Sequence, residues 1–277
     1  MRGEATCHGA ATIVNAIATG RGAAFGLDLF TRAVVEITDE PGVSCDAQGE
    51  DPSMVCSCVE GVIERFAPGR GARVSTESNI PVSRGLKSSS AAANAAIMAS
   101  LDALSVEMDP VEAVRMGTRK AVEAGVSVTG AFDDAAASML GGVVVTDNRE
   151  ERIIKRDQLP EGVEVLLHVP EFRIRKGGLP LDRIRSLSSL VEAAFGMCLQ
   201  GDYLRAMTLN GLCYSVAQGL NMDLVMDALK CGALAAGLSG TGPATAILVP
   251  NERAGIIMNE LERYPLTRVD LYRGEGT

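Results

Sequence analysis

Tryptophan is absent from this 277-residue chain, histidine occurs only at His8 and His168, and the remaining rings are six phenylalanines and four tyrosines. So few rings do not make a stacking platform for single-stranded nucleic acid. Basic charge is short as well. Lys and Arg number 26 against 35 Asp and Glu, a net −9 with a pI near 4.9. A concentrated basic face for duplex nucleic acid is therefore not expected. No uninterrupted apolar run approaches the roughly 18 residues that span a bilayer, so no membrane partner is expected. Arg2, Glu4, Asn15 and Arg21 punctuate the first thirty residues, which do not read as a secretion signal. The seven cysteines hold no C-x-x-C pair, only the lone C-x-C of Cys56 and Cys58. The expectation is a cytoplasmic protein whose reduced thiols act as small core residues, without a zinc site. Two histidines also make a Ser-His-Asp or Cys-His engine unattractive. Chemistry is left to carboxylates, hydroxyls, backbone amides and cations.

What is present favours a large core: 47% of residues are apolar and 22% charged. Ala10–Ala18 and Arg32–Thr38 read as strands, Asp39–Ala47 as turn-rich, and Pro52–Phe66 as a helix with apolar residues at helical spacing. A strand is expected at Arg73–Ser78, and the Ala-rich run Ser88–Leu104 is expected to be helical. Asp109–Glu123 carries a full set of helix signals. Asp109 is the cap, Pro110 the first helical residue, Glu112 completes a D-x-x-E box, and Gly125 is the stop. A short helix at Asp133–Leu140 ends at Gly141-Gly142 and hands over to Val143–Val145. The charged segment Asn148–Pro160 reads as the crossing between two domains, 1–150 and 151–277. The second half is expected to hold strands at Val163–Val169, Ala244–Val249 and Arg268–Tyr272. Helices are expected at Asp182–Leu199, Asp202–Asn221, Asp223–Cys231 and Asn251–Arg263, and a basic loop at Arg173–Lys176. The uneven mixture predicts an α+β architecture.

Three constellations carry chemistry. The first is Pro81-Val-Ser-Arg-Gly85-Leu86-Lys87-Ser88-Ser89-Ser90-Ala91, a turn with a glycine, a cation and three hydroxyls just before the Ala-rich helix. Unpaired amides and the macrodipole make such an end an anion site, although a Ser-capped core helix with a solvated lysine fits the same residues. It is not a Walker loop, because Leu86 precedes the lysine and Pro81 stands where the first glycine belongs. The second is Gly130-Ala-Phe-Asp133-Asp134 before a helix too apolar to be exposed. At least one carboxylate is expected to face a site, as proton acceptor or metal ligand; one cap and one solvated Asp is the plainer reading. The third is Gly237-Leu-Ser-Gly240-Thr-Gly242-Pro243, where dense glycines permit close backbone approach to a ligand, or simply a tight turn into a strand.

Taken together and in this order, the three constellations resemble the motifs of the GHMP kinase superfamily. Pro81, Gly85, Leu86, Ser88 and Ser89 match its Pro-x-x-x-Gly-Leu-Gly-Ser-Ser motif, with Lys87 in place of the second glycine. GLKSSSAAANA, together with Gly9–Leu29 and GAFDDAAASMLGG, is closely similar to the archaeal-type shikimate kinases within that superfamily. The resemblance implies a two-domain GHMP kinase-like fold, with a ferredoxin-like second domain and the active site in the cleft between the domains. It implies ATP and Mg²⁺ as cofactors and shikimate as the small-molecule acceptor. Pro81, Gly85, Leu86, Lys87, Ser88, Ser89, Ser90 and Ala91 would then cradle the nucleotide phosphates. Asp134 would be the catalytic carboxylate with Asp133 as alternate, and Lys87 would assist. Ser89 and Glu123 would touch the metal, and Asn15, Arg21, Asp28, Gly240 and Gly242 the acceptor. Arg21, Arg32, Arg84, Arg173 and Arg175 all remain open as partners of a substrate carboxylate. The chain departs from the pattern at Ala10, where mevalonate kinase carries a lysine beside its catalytic Asp; Arg21 or Lys87 could supply that charge. Homoserine kinase or another kinase of the superfamily is the alternative enzyme. A nucleotide-binding regulator without catalysis is the alternative from another class.

Overall fold

The computed structural model describes residues 1–47, 52–123, 130–172 and 178–274. Its first sheet is built on a long antiparallel ladder of β1 (Arg2–Val14) and β2 (Arg21–Thr38). β2 is long enough to serve two neighbours on its other side. Its second half pairs with β4 (Gly71–Ser78), which is parallel to β3 (Gly42–Ala47), and its first half pairs with β5 (Val143–Asp147). β6 (Arg152–Asp157) closes that edge. The segment expected to be a crossing thus contains an edge strand. The first sheet continues past residue 150, and the passage to the second sheet is Gln158–Gly162.

The second sheet is antiparallel, in the order β10 (Leu266–Val269), β7 (Val163–His168), β9 (Thr245–Pro250), β8 (Ala235–Leu238). One face of the first sheet carries α1 (Pro52–Phe66), α2 (Ser88–Ala103), α3 (Pro110–Glu123) and α4 (Phe132–Leu140). Its other face shares one core with the second sheet, α6 (Ser188–Leu199) and α7 (Tyr203–Gln218), into which α5 (Leu181–Ser186) also feeds Ile184. α8 (Asp223–Lys230) and α9 (Ala254–Glu260) cover the outer face of the second sheet around Leu166, Ile247 and Val249. The architecture is α+β with two domains.

Local chemistry accounts for the parts that position the site. Asp109 does cap α3, its Oδ1 accepting from the amides of Val111 (2.9 Å) and Glu112 (3.2 Å); the expected stop, Gly125, lies outside the described residues. α2 is alanine-rich and buried nearly all round, as a helix must be when strands flank it on one side and helices on the other. Residues 270–272 return to the first sheet: the amide of Asp28 donates to Asp270 O, Tyr272 N to Gly26 O, and Gly142 N to Tyr272 O. The cysteine expectation needs one correction. Cys45 and Cys56 are disulfide-bonded, because β3 runs alongside α1 and brings their sulfurs together; Cys7, Cys58, Cys198 and Cys213 are buried thiols. No helix among the described residues is long and apolar enough to cross a membrane.

Candidate active site

The amino terminus of α2 is open. Its cap is not a serine but Lys87, which lies in the left-handed region (φ 67°) and makes no side-chain cap bond. Left-handed backbone costs a residue with a Cβ about 1–2 kcal/mol, so a lysine here is held by its surroundings. Its carbonyl accepts from Ala91 N at 3.0 Å. Its side chain is 6% exposed, and the ammonium lies 2.8 Å from Thr12 Oγ1 and 3.0 Å from Asp134 Oδ1. Gly240 makes room for it: a Cβ there would stand 2.6 Å from Lys87 Nζ. One cation thus joins the first constellation to the second, against the wall of the third.

Neither aspartate caps α4; the cap is Ala131, and both carboxylates occupy the first turn, where the helix dipole favours them. The two differ in surroundings. Asp134 keeps 17% of its side chain exposed and meets Lys87. Asp133 is 3% exposed, accepts from Asn148 Nδ2 at 2.7 Å, and packs onto Gly22, where any Cβ would overlap its carboxylate. Thr146 Oγ1 in turn donates to Asn148 Oδ1 at 2.7 Å. Burial first, and the neighbouring Asp134 second, push the Asp133 carboxyl up to about 7 from its ordinary 3.8, against the pull of Asn148 and Lys87.

The loops are bolted together below the lysine. Ser239 Oγ donates to Gly85 O (2.7 Å) and accepts from Thr12 N (3.3 Å), while Ala244 N donates to Arg84 O (3.0 Å). Of the expected phosphate-cradling residues, Leu86 is a core side chain and Ala91 is buried beneath the first turn; Ser88 is buried, and Ser89 and Ser90 are partly exposed at the open end. Pro81 opens the turn, and Gly242 follows Gly240 in the third loop, its amide bonded to Ser239 O.

The expected acceptor residues fall at different places. Asn15 folds back on its own turn, Oδ1 accepting from Ile17 N. Arg21 pairs with Glu192 of α6 and lies over the Phe195 ring at 4.8 Å. Asp28 is exposed beside His8, seven residues from Arg21 along one strand, or about 20 Å at the usual rise. Glu123 is exposed and bonded to Lys120 at 3.1 Å rather than to anything in the Lys87 cluster. No group of three acidic, His or Cys ligands occurs among the described residues. Arg32 is paired with Glu4 at 2.5 Å, Arg84 donates to the carbonyls of Glu171 and Phe172, and Arg173 and Arg175 lie outside the described residues, as does the expected basic loop. Three residues escaped sequence reasoning: Thr12, Asn148 and Arg149. Arg149 and Arg21 line a cleft of about 410 Å³ together with Thr19, Asp147, Ser188 and Glu192. Arg149 crosses Gly20, and its chain neighbour Asn148 is the residue that holds Asp133.

Residues 53–142, which span the Lys87 loop and α4, match the GHMP kinases N terminal domain. The chain is 51% identical over 249 residues to a protein of Methanothrix thermoacetophila named shikimate kinase, covering 90% of this chain and 86% of that one. It is 44% identical over 256 residues to a shikimate kinase of Methanococcoides burtonii, covering 91% and 88%. The chain belongs to the GHMP kinase family. Its fold agrees with that of other family members: the Methanococcus jannaschii mevalonate kinase structure superposes with a TM-score of 0.77 at 14% identity, over 99% of both chains. The residue at position 10 is alanine, and the cation beside Asp134 comes from Lys87 in the α2 loop.

Proposed function

We propose that this chain transfers the γ-phosphoryl group of ATP to the 3-hydroxyl of shikimate. The Lys87–Asp134 pair at the open end of α2 is the observation that carries the reading. Phosphoryl transfer asks the protein mainly to position reactants and to offset negative charge. The first amides of α2, Ser88–Ser90 and Lys87 are suited to hold phosphate oxygens. Asp134 accepts the hydroxyl proton as the acceptor oxygen bonds to the γ-phosphorus and the bridging oxygen leaves with ADP. Asp133, buried and already bonded to Asn148, serves to brace α4 rather than to meet the acceptor.

Mg²⁺ fits this site through hard oxygen donors. Ser89 and the nucleotide phosphates would hold it, in keeping with an ion that retains waters and takes few protein ligands, and Glu123, bonded to Lys120, is not needed. Bound there, it supplies further charge neutralisation. The acceptor carboxylate is assigned to the Arg21–Arg149 cleft. Arg21 is already matched by Glu192, whereas Arg149 makes no ion pair among the described residues, so Arg149 is the cation left for an incoming carboxylate. Thr19 and Ser188 offer hydroxyls beside it. The working compartment in this reading is the cytoplasm, where ATP is the donor.

A coupled ADP-release assay with shikimate, homoserine and mevalonate as acceptors tests the reading. Turnover on shikimate alone is expected. Turnover on homoserine or mevalonate instead replaces the acceptor, and tight ATP binding with no turnover on any alcohol replaces catalysis by a binding role.

A further inference from the structure

We infer that Thr12 is a positioning residue for phosphoryl transfer, holding the Lys87 ammonium over Asp134. The inference deepens the proposed function and rests on it for the role of Lys87. Thr12 sits on β1, 1% exposed, on the face of the ladder that looks toward α4. Its hydroxyl has two acceptor lone pairs, and both are used: Lys87 Nζ donates at 2.8 Å and Gly240 N at 2.9 Å. Its own amide donates to Ser239 Oγ, which donates to Gly85 O. A single side chain from the strand thereby connects the α2 loop, the third glycine loop and the cation between them.

The need for such a group follows from the lysine's origin. A lysine rooted in a strand would be aimed by its own backbone. Lys87 arrives from a left-handed loop residue on a flexible four-carbon stem, with a large rotamer entropy to lose. Asp134 attracts the ammonium as an ion pair at 3.0 Å, but its Oδ1 accepts no directed hydrogen bond. Among the described residues Thr12 accepts the hydrogen bond that orients the ammonium, and the remaining N–H groups stay available to a phosphate oxygen. Valine at position 12 keeps the volume and removes the acceptor. The ammonium then swings about Asp134, and the Gly240 amide loses its partner.

The test is a double-mutant cycle on the full chain with ATP and whichever alcohol it phosphorylates. Thr12→Val is expected to lower kcat by ten- to a hundredfold with both KM values changed less than about threefold, and Thr12→Ser to recover activity to within about threefold of the parent. In a Lys87→Met background, Thr12→Val is expected to cost nothing further, because its effect travels through the lysine. Equal losses in both backgrounds overturn the inference, as does a Thr12→Ser variant no better than Thr12→Val. A Lys87→Met variant with parental kcat and KM overturns instead the role given to Lys87 above, and it does so in the single mutant. Should Thr12→Val fail to fold, Thr12→Ala, which leaves space for a water beside Gly240 N, is held to the same cycle.

Discussion

Asp133→Asn should make the protein more stable above neutral pH. The carboxyl is buried to 3% exposure, and burial first, with the neighbouring Asp134 second, pushes it up to about 7 from its ordinary 3.8. At about 1.4 kcal/mol per tenfold in the proton equilibrium, holding it ionised in the fold costs about 4 kcal/mol. The sign follows from proton binding: between pH 4 and 7 the native state binds more protons than the unfolded one, so stability falls as pH rises and levels off above 7. Asparagine keeps the shape, still offers an oxygen to Asn148 Nδ2, and has no such dependence. It forfeits about 0.3–1 kcal/mol of dipole interaction at the first turn of α4. The net gain at pH 8 is therefore about 3 kcal/mol, on the order of 5 °C in Tm for a chain of this length. Urea unfolding of both proteins at pH 5 and pH 8 reads it directly. The gap should widen by roughly 3 kcal/mol between the two conditions. A gap that does not change with pH, or a variant less stable at pH 8, refutes the account of Asp133 as a carboxylate held against its own charge.

The neighbouring substitution should behave oppositely. Asp134→Asn is expected to reduce kcat by about a thousandfold or more while ATP binding by calorimetry stays within a few-fold, since the proton acceptor is lost and the phosphate cradle is not. Gly240→Ala places a methyl 2.6 Å from Lys87 Nζ at a left-handed position (φ 60°). A loss of about 1–3 kcal/mol in unfolding free energy should accompany a steep fall in kcat. Arg149→Met should raise the KM for the carboxylate-bearing acceptor by about ten- to a hundredfold with the KM for ATP unchanged, measured by initial rates under saturating co-substrate.

Much of this molecule was readable before its structure. Helix α3 announced itself because cap, proline and box all act within one turn, and the Ala-rich α2 because alanine has few alternatives. Three strands went unseen for distinct reasons. β6, Arg-Ile-Ile-Lys-Arg-Asp, is an edge strand whose charges guard it and so looks like linker. β8, Ala-Ala-Gly-Leu, is made of residues with little strand preference; it exists because α7 packs Gly211 against Gly237. β3 was hidden in turn-rich sequence and depends on its parallel partner β4. At the site, the residues of the Lys87 loop and the Asp133-Asp134 pair were visible as motifs, but adjacency in sequence could not separate the two carboxylates. Burial against Gly22 and the reach of Lys87 do so. Thr12 was one more apolar-looking strand residue, and Arg149 one of several charges in a presumed crossing, until folding gave each a neighbour more than fifty residues distant.

The return of residues 270–272 to the first sheet has a consequence for how the protein is made. Translation delivers the Lys87 loop and α4 early, yet the strand edge beside Gly26 and Gly142 waits for hydrogen bonds from residues 270–272, made well over a hundred residues later. Such distant pairing slows folding and ties both halves into one cooperative event. A nascent chain stalled before residue 270 would carry the Lys87 loop and α4 and still lack the clasp that closes the sheet beneath them.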